Sequence, residues 1–305
     1  MKKLLWFVPF LISGCVGESF HKQWDVQDAK VGDRGAQLPN FKLGDSVTYT
    51  SGRKERVKAV NGVELFWRRS SSNNWVGNSD FFLPNVEYTS KSGHIKEKIT
   101  YLDGDVWPLR IGKAVDMHSY REYRPEGYTY SKFYTRHWKC KVEGTSRVKI
   151  TIGEFDTYVV RCDKIYDKGQ KITMSKYWHY SPLLRSPLAY VLYRPGKEPY
   201  AREVMHIRRG MKWLEVKERK SLSRALQRAM ESNPVDKVST WVSKDGRTRV
   251  QMKATNTLRL ADGTYCRNYT QEISYQNEVQ YAAGLVCRKH KNRWSHLKKM
   301  PKPAI

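Results

Sequence analysis

The sequence has no run of about 18 apolar residues, so no segment reads as a membrane-spanning helix. It has no Cys-x-x-Cys pair, which removes thioredoxin-like redox chemistry. Gly-x-Ser-x-Gly, His-Glu-x-x-His and a phosphate-cradling glycine-rich loop are all missing. Ser-x-x-Lys occurs at Ser51, Ser146 and Ser295, but without the companion motifs that would make it catalytic. Acidic residues are scarce: 30 Asp plus Glu stand against 56 Lys plus Arg, a formal net charge of +26. No acid follows Glu278. These absences lead us to expect a protein that is not an enzyme, has no catalytic residues and needs no cofactor. A mean hydropathy of −0.71 would suit a disordered chain. The 10 Trp, 19 Tyr and 9 Phe argue for a folded one, because disordered chains are poor in aromatics.

The chain opens Met1-Lys2-Lys3, runs apolar from Leu4 to Ile12 and turns small at Ser13-Gly14-Cys15. A short cationic stretch, a brief apolar run and small residues make an export signal. Ile12-Ser13-Gly14-Cys15 also resembles a bacterial lipobox. That resemblance implies lipid attachment at Cys15 after removal of residues 1–14, and acyl chains that hold the protein to a membrane. Val16 rather than an aspartate follows Cys15, which by the same resemblance favours the outer membrane.

With Cys15 set aside, Cys140, Cys162, Cys266 and Cys287 remain, an even number suited to an oxidising compartment. Four cysteines allow three connectivities. The two local pairs have nearly equal spacing, so Cys140–Cys162 and Cys266–Cys287 are expected. His137-x-x-Cys140 and Cys287-x-x-His290 have ligand-like spacing, but a closed zinc site needs a second pair beside each. No metal site is expected.

Residues 15–39 are polar and aperiodic and read as a tether. From residue 40 to 209 short β-prone runs recur between turn residues such as Asn61-Gly62, Asp103-Gly104, Glu143-Gly144 and Pro195-Gly196. Many short strands with frequent turns predict an antiparallel β-sandwich or a barrel-like domain. In Gly153–Cys162, alternation puts Phe155, Thr157 and Val159 on one face and Asp156, Tyr158 and Val160 on the other. Residues 210–235 read as a connecting segment. Within it Leu222, Ala225, Leu226, Ala229 and Met230 have helical spacing, and Pro234 stops a helix over 220–232. A second, small β module covers 236–298, with turns at Asp245-Gly246, Asp262-Gly263 and Gln276-Asn277, and 299–305 is a tail. A module that small buries little apolar surface, so a disulfide between its strands would supply what its core lacks.

Trp241, Asp262-Gly263-x-Tyr265-Cys266-Arg267-x-Tyr269, Gly284, Cys287-Arg288 and Trp294 carry a resemblance. The stretch 240–297 resembles the C-terminal domain of the bacterial 17-kDa surface-antigen family of outer-membrane lipoproteins. The resemblance implies a small disulfide-bridged β domain and an envelope location, and no activity. The apolar Gly-x-x-x-Gly-type segment of those antigens has no counterpart here. Region 40–200 instead resembles an uncharacterised periplasmic β module of alphaproteobacterial envelope proteins. That likeness is carried by Gly44-Asp45, Trp107-Pro108-Leu109, Trp138-x-Cys140 and Tyr177-Trp178-x-Tyr180.

The charge bears on function. Residues 236–305 hold 14 Lys plus Arg and 5 Asp plus Glu. Arg288, Lys289, Lys291 and Arg293 are the candidate polyanion-binding group. Lipopolysaccharide phosphates, peptidoglycan carboxylates or an acidic envelope protein would be the partners, and an anionic surface attracts each nearby cation by about 1 kcal/mol. Export makes nucleic acid a poor partner. A solubilising cationic surface would account for the same charge. Trp107, Trp138, Trp178, Trp241 and Trp294 are expected in the core, and Tyr177-Trp178-His179-Tyr180 is the place where aromatic stacking on sugar rings would fall. The resulting expectation is a lipid-anchored envelope protein that binds polyanions or a partner. The alternatives are an accessory subunit of a secretion, pilus or surface-polymer machine, and an envelope hydrolase.

Overall fold

The computed structural model describes residues 29–32, 35–166, 171–289 and 293–301. Residues 1–14, Cys15, the first half of the expected tether, Lys291 and the end of the tail lie outside them. Among the described residues are seventeen strands and one helix.

Twelve strands form the first unit: β1 (Ser46–Tyr49), β2 (Lys54–Asn61), β3 (Glu64–Ser70), β4 (Asn73–Asn78), β5 (Glu87–Ser90), β6 (Gly93–Gly104), β7 (Ala114–Pro125), β8 (Lys132–Ile150), β9 (Gly153–Tyr166), β10 (Lys171–Ser181), β11 (Ser186–Arg194) and β12 (Lys197–Arg208). Each pairs antiparallel with the next, from β1–β2 through to β11–β12. β12 returns to pair with β1, Ser46 opposite Arg208 and Val47 opposite Ile207. Of the two architectures the sequence allows, the chain therefore adopts the closed barrel. Closure removes the exposed edges that an open sheet would leave.

Two local expectations are corrected. Glu143-Gly144 is not a turn. It is a bulge inside the 19-residue strand β8, where Val142 faces Val160 and Gly144 already faces Val159. The turn comes later, at Thr151-Ile152, with Ile152 fully buried. The bulge re-aims the strand between two cores. Phe155 packs in one core with Val148 and Ile150, while Tyr158, Val160 and Cys162 pack in another with Trp138 and Val142. The alternation along β9 is kept, but both its faces are buried in succession rather than one facing water.

The expected tether is also shorter than its sequence. Ala36 and Leu109 exchange backbone hydrogen bonds. Tyr180 donates its hydroxyl to the Gln37 carbonyl at 2.6 Å, and Arg185 donates to the Leu38 carbonyl at 2.7 Å. Residues 35–38 are thus strapped to the barrel.

After β12 comes helix α1 (Val216–Ser232). It begins four residues before the expected start at 220, because Glu215 and Glu218 cap it, the Glu215 N–H donating to the Glu218 carboxylate at 3.0 Å. A second meander follows: β13 (Ser239–Val242), β14 (Thr248–Arg259), β15 (Tyr265–Tyr275), β16 (Glu278–Lys289) and β17 (Arg293–His296). It joins the barrel where β12 outruns β11, with His206 opposite Gly284 and Ile207 opposite Ala283. One face of this sheet carries Ala282, Val286 and Tyr269 against α1. The other carries Ala283, Leu285 and Cys287 into a core shared with Val47, Val57 and Leu65 of the barrel. Burial on both faces explains why Ala282–Cys287 is a continuous apolar run rather than an alternating one. The two sequence modules are consequently packed on one core. The cysteines pair as Cys140–Cys162, between β8 and β9, and Cys266–Cys287, between β15 and β16.

Candidate functional site

In a closed barrel every second residue of a strand points inward. On β8 to β12 those positions hold cations and aromatics by turns: Arg136 and Trp138; Lys164; Met174, Lys176 and Trp178; Tyr190, Leu192 and Arg194; Arg202. Together they line a cavity of about 300 Å³. The Lys176 ammonium lies 4.8 Å from the Trp138 ring centroid. The Arg202 guanidinium lies 4.9 Å from the rings of both Tyr49 and Tyr190. Aromatic faces hold cations in place without neutralising them.

Glu97, on β6, brings a carboxylate to this group. It is buried and accepts from Ser119 at 2.6 Å and from Arg121 at 2.7 Å, with Arg136 at 3.7 Å. Among the described residues, no carboxylate lies within ion-pair distance of Lys164, Lys176, Arg194 or Arg202. Burial, and then the nearby Arg136 charge, push the Lys176 ammonium down to about 8. The same two causes lower Lys164, and burial lowers Arg136, helped by Arg121. The Trp178 indole N–H and the Arg202 Nε–H are buried without an acceptor. A buried donor left unmade costs about 1–3 kcal/mol. The lumen therefore presents unpaired positive charge and unmet donors to whatever enters it.

A second chamber of about 220 Å³ adjoins the first across Trp178, Tyr190 and Arg202. Trp67, Trp75, Leu65 and Tyr88 line it together with the polar side chains of Arg53, Glu55, Asp80 and Asn85. A larger cleft, about 1030 Å³, lies between the β8–β9 hairpin and the second sheet. Its lining balances three cations, Lys30, Lys149 and Lys253, with three carboxylates, Glu154, Asp156 and Glu272, so it has no comparable pull on an anion.

The candidate group on the surface is placed differently. Arg288 pairs with Glu231 and lies over the rings of Tyr265 and Trp294, so its charge is engaged. Lys289 and Arg293 are exposed and directly opposite each other on β16 and β17. Trp178 and Tyr180 turn into the barrel, whereas His179 is buried on the opposite face against Ser146. Sequence reading missed the lumen cations. The signal was a period of two, Arg136-x-Trp138 and Lys176-x-Trp178, which becomes a site only when the sheet closes.

Fold and site together define a β-barrel with a cationic cavity among its inward-facing side chains. Over 77 residues the chain is 31% identical to the 17 kDa surface antigen of Rickettsia prowazekii (strain Madrid E). The match covers 25% of this chain, and the chain spans about half, 48%, of that relative. It supports a surface-antigen-like relationship and, with it, a surface-related protein. No family model and no solved structure matches the chain.

The residues behind the resemblance hold α1 on its sheet. Arg267 donates to the Met230 and Asn233 carbonyls at the helix C-terminus, at 2.6 and 2.7 Å. Trp294 donates its indole N–H to Glu231, and its backbone exchanges hydrogen bonds with Gln227. Trp241 donates to Ser221 at 3.2 Å. Asp262-Gly263 forms the β14–β15 turn, with Gly263 at φ +81°.

Proposed function

We propose that this is a lipid-anchored cell-envelope protein that binds an acidic envelope molecule in its barrel lumen. The single observation that carries the reading is the set of lumen cations without carboxylate partners, beside the unmet donors of Trp178 and Arg202. A phosphate or carboxylate placed there would accept charge-assisted hydrogen bonds of about 1.5–3 kcal/mol each. The aromatic walls would hold the sugar or apolar body that carries the acid. The export signal, the lipobox-like Cys15, two disulfides and the surface-antigen-like stretch support an envelope location. Lipopolysaccharide and peptidoglycan fragments carry the required acidic groups and are the partners to test. On this reading the surface cations Lys289 and Arg293 favour approach to the same anionic surfaces.

Titration of the purified protein with lipopolysaccharide and with peptidoglycan fragments, followed by tryptophan fluorescence, tests the lumen. Saturable quenching is expected, weakened by salt. Lys176→Ala and Arg202→Ala should each weaken binding by about tenfold or more. Affinity should also fall as pH rises through about 8, where Lys176 loses its proton. Binding indifferent to both substitutions overturns the reading. Cys15→Ala tests the anchor separately: the variant should leave the membrane fraction.

A further inference from the structure

The outer wall of the barrel carries a second constellation, unrelated to the lumen. Spacing alone pairs His137 with Cys140. Three residues along a strand, however, reverse the side chain, and Cys140 is inward and bonded to Cys162. The sheet gives His137 other neighbours. His118 on β7 is its direct cross-strand partner, and Asp116, two residues before His118, lies on the same outer face. The two imidazoles stack at 4.1 Å between centroids. The Asp116 Oδ1 atom lies 2.6 Å from His137 Nε2 and 3.8 Å from His118 Nε2. All three ligand atoms fall within 4.8 Å of one another.

From this geometry we propose that Asp116, His118 and His137 form a binding site for a divalent transition ion of the zinc class. Two imidazoles and one carboxylate are a donor set suited to zinc, which is held at about 2.0–2.2 Å by such ligands. Tetrahedral bonds of that length put ligand atoms about 3.3 Å apart, so the ligand atoms need to close by about 1 Å, and one imidazole has to tilt out of the stack to aim its in-plane lone pair at the ion. The backbone supplies the rigidity: β7 and β8 pair continuously from Ala114 to Tyr123. Three protein ligands on an exposed face leave a coordination position open to solvent. Lys139, opposite Asp116 with its ammonium 3.4 Å from Oδ2, competes with the ion for that carboxylate.

The test is calorimetric titration of the purified full chain with Zn²⁺ alone, with Co²⁺ absorption as an independent readout of coordination. One saturable equivalent is expected, with Co²⁺ bands of low-coordinate intensity. His118→Ala and His137→Ala should each weaken Zn²⁺ binding at least tenfold, and Asp116→Asn should weaken it too. Lys139→Ala should tighten it several-fold, an effect that damage to the fold would not produce. Absence of saturable Zn²⁺ binding to the unsubstituted protein overturns the proposal. So does an affinity that neither histidine substitution nor Lys139→Ala changes.

Discussion

Arg209 is the residue on which the union of barrel and second sheet can be measured. Its side chain is 2% exposed and that of its partner Asp45 is 1% exposed. One guanidinium donates to Asp45 at 2.9 Å, to the Leu184 carbonyl at 2.7 Å and to the Tyr281 carbonyl at 2.8 Å. It thereby ties the entry to β1, the β10–β11 connection and strand β16 to each other. Asp45 also accepts from the backbone N–H groups of Gly210, at 2.7 Å, and Lys42, at 3.1 Å. Arg209→Met keeps the aliphatic stem but strands a buried carboxylate and two buried carbonyls. Removal of one member of such a pair costs about 3–5 kcal/mol. For a chain of this size that corresponds to a Tm lowered by roughly 5–8 °C. Urea unfolding followed by tryptophan fluorescence, with scanning calorimetry alongside, measures both. The added substitution Asp45→Asn removes the stranded charge, so the double variant should recover at least about 1 kcal/mol over Arg209→Met alone. A single-variant loss below about 1 kcal/mol, or a double variant whose losses simply add, would show that the ion pair does not join the two sheets.

The same junction should make the protein acid-labile. The His206 Nδ1 accepts from the Leu285 N–H and its Nε2–H donates to the Leu297 carbonyl, a neutral tautomer that burial holds down to about 4. The unfolded chain takes the proton near 6.5. Stability is therefore complete above about pH 6.5 and falls as pH drops towards 4, by on the order of 3 kcal/mol from this residue; unfolding free energies across that range check it, and His206→Gln should flatten the slope. Gly284→Ala should cost about 1–3 kcal/mol, because the new Cβ would lie 2.8 Å from His206 Nδ1 and 3.0 Å from the Tyr269 ring; denaturant midpoints measure the loss, and an unchanged midpoint would refute the close packing of β12, β15 and β16.

The sequence by itself determined the local order of this protein. Turn chemistry at Asp245-Gly246, Asp262-Gly263 and Gln276-Asn277 marks the strands of the second sheet, from Trp241 to Trp294, because it acts over a few residues. The spacing of Leu222 to Met230 marks the face that α1 buries, although its start escaped detection because a capping box is set by Glu215 and Glu218 rather than by apolar period. Even the identity of Gly284 is visible in the sequence, though not its reason, which is a histidine and a tyrosine closing over the same backbone atom.

Only the tertiary structure decided the rest. A bulge at Glu143-Gly144 turned an expected hairpin into one long strand, since a two-residue signal is the same for both. Closure of β12 on β1 gave Arg136, Lys164, Lys176 and Arg202 a common interior, and pairing of β7 with β8 gave His137 the company of His118 and Asp116 in place of Cys140. Charge and ligand chemistry depend on distance in space, and residues far apart along a chain acquire that distance only when strands are put in register.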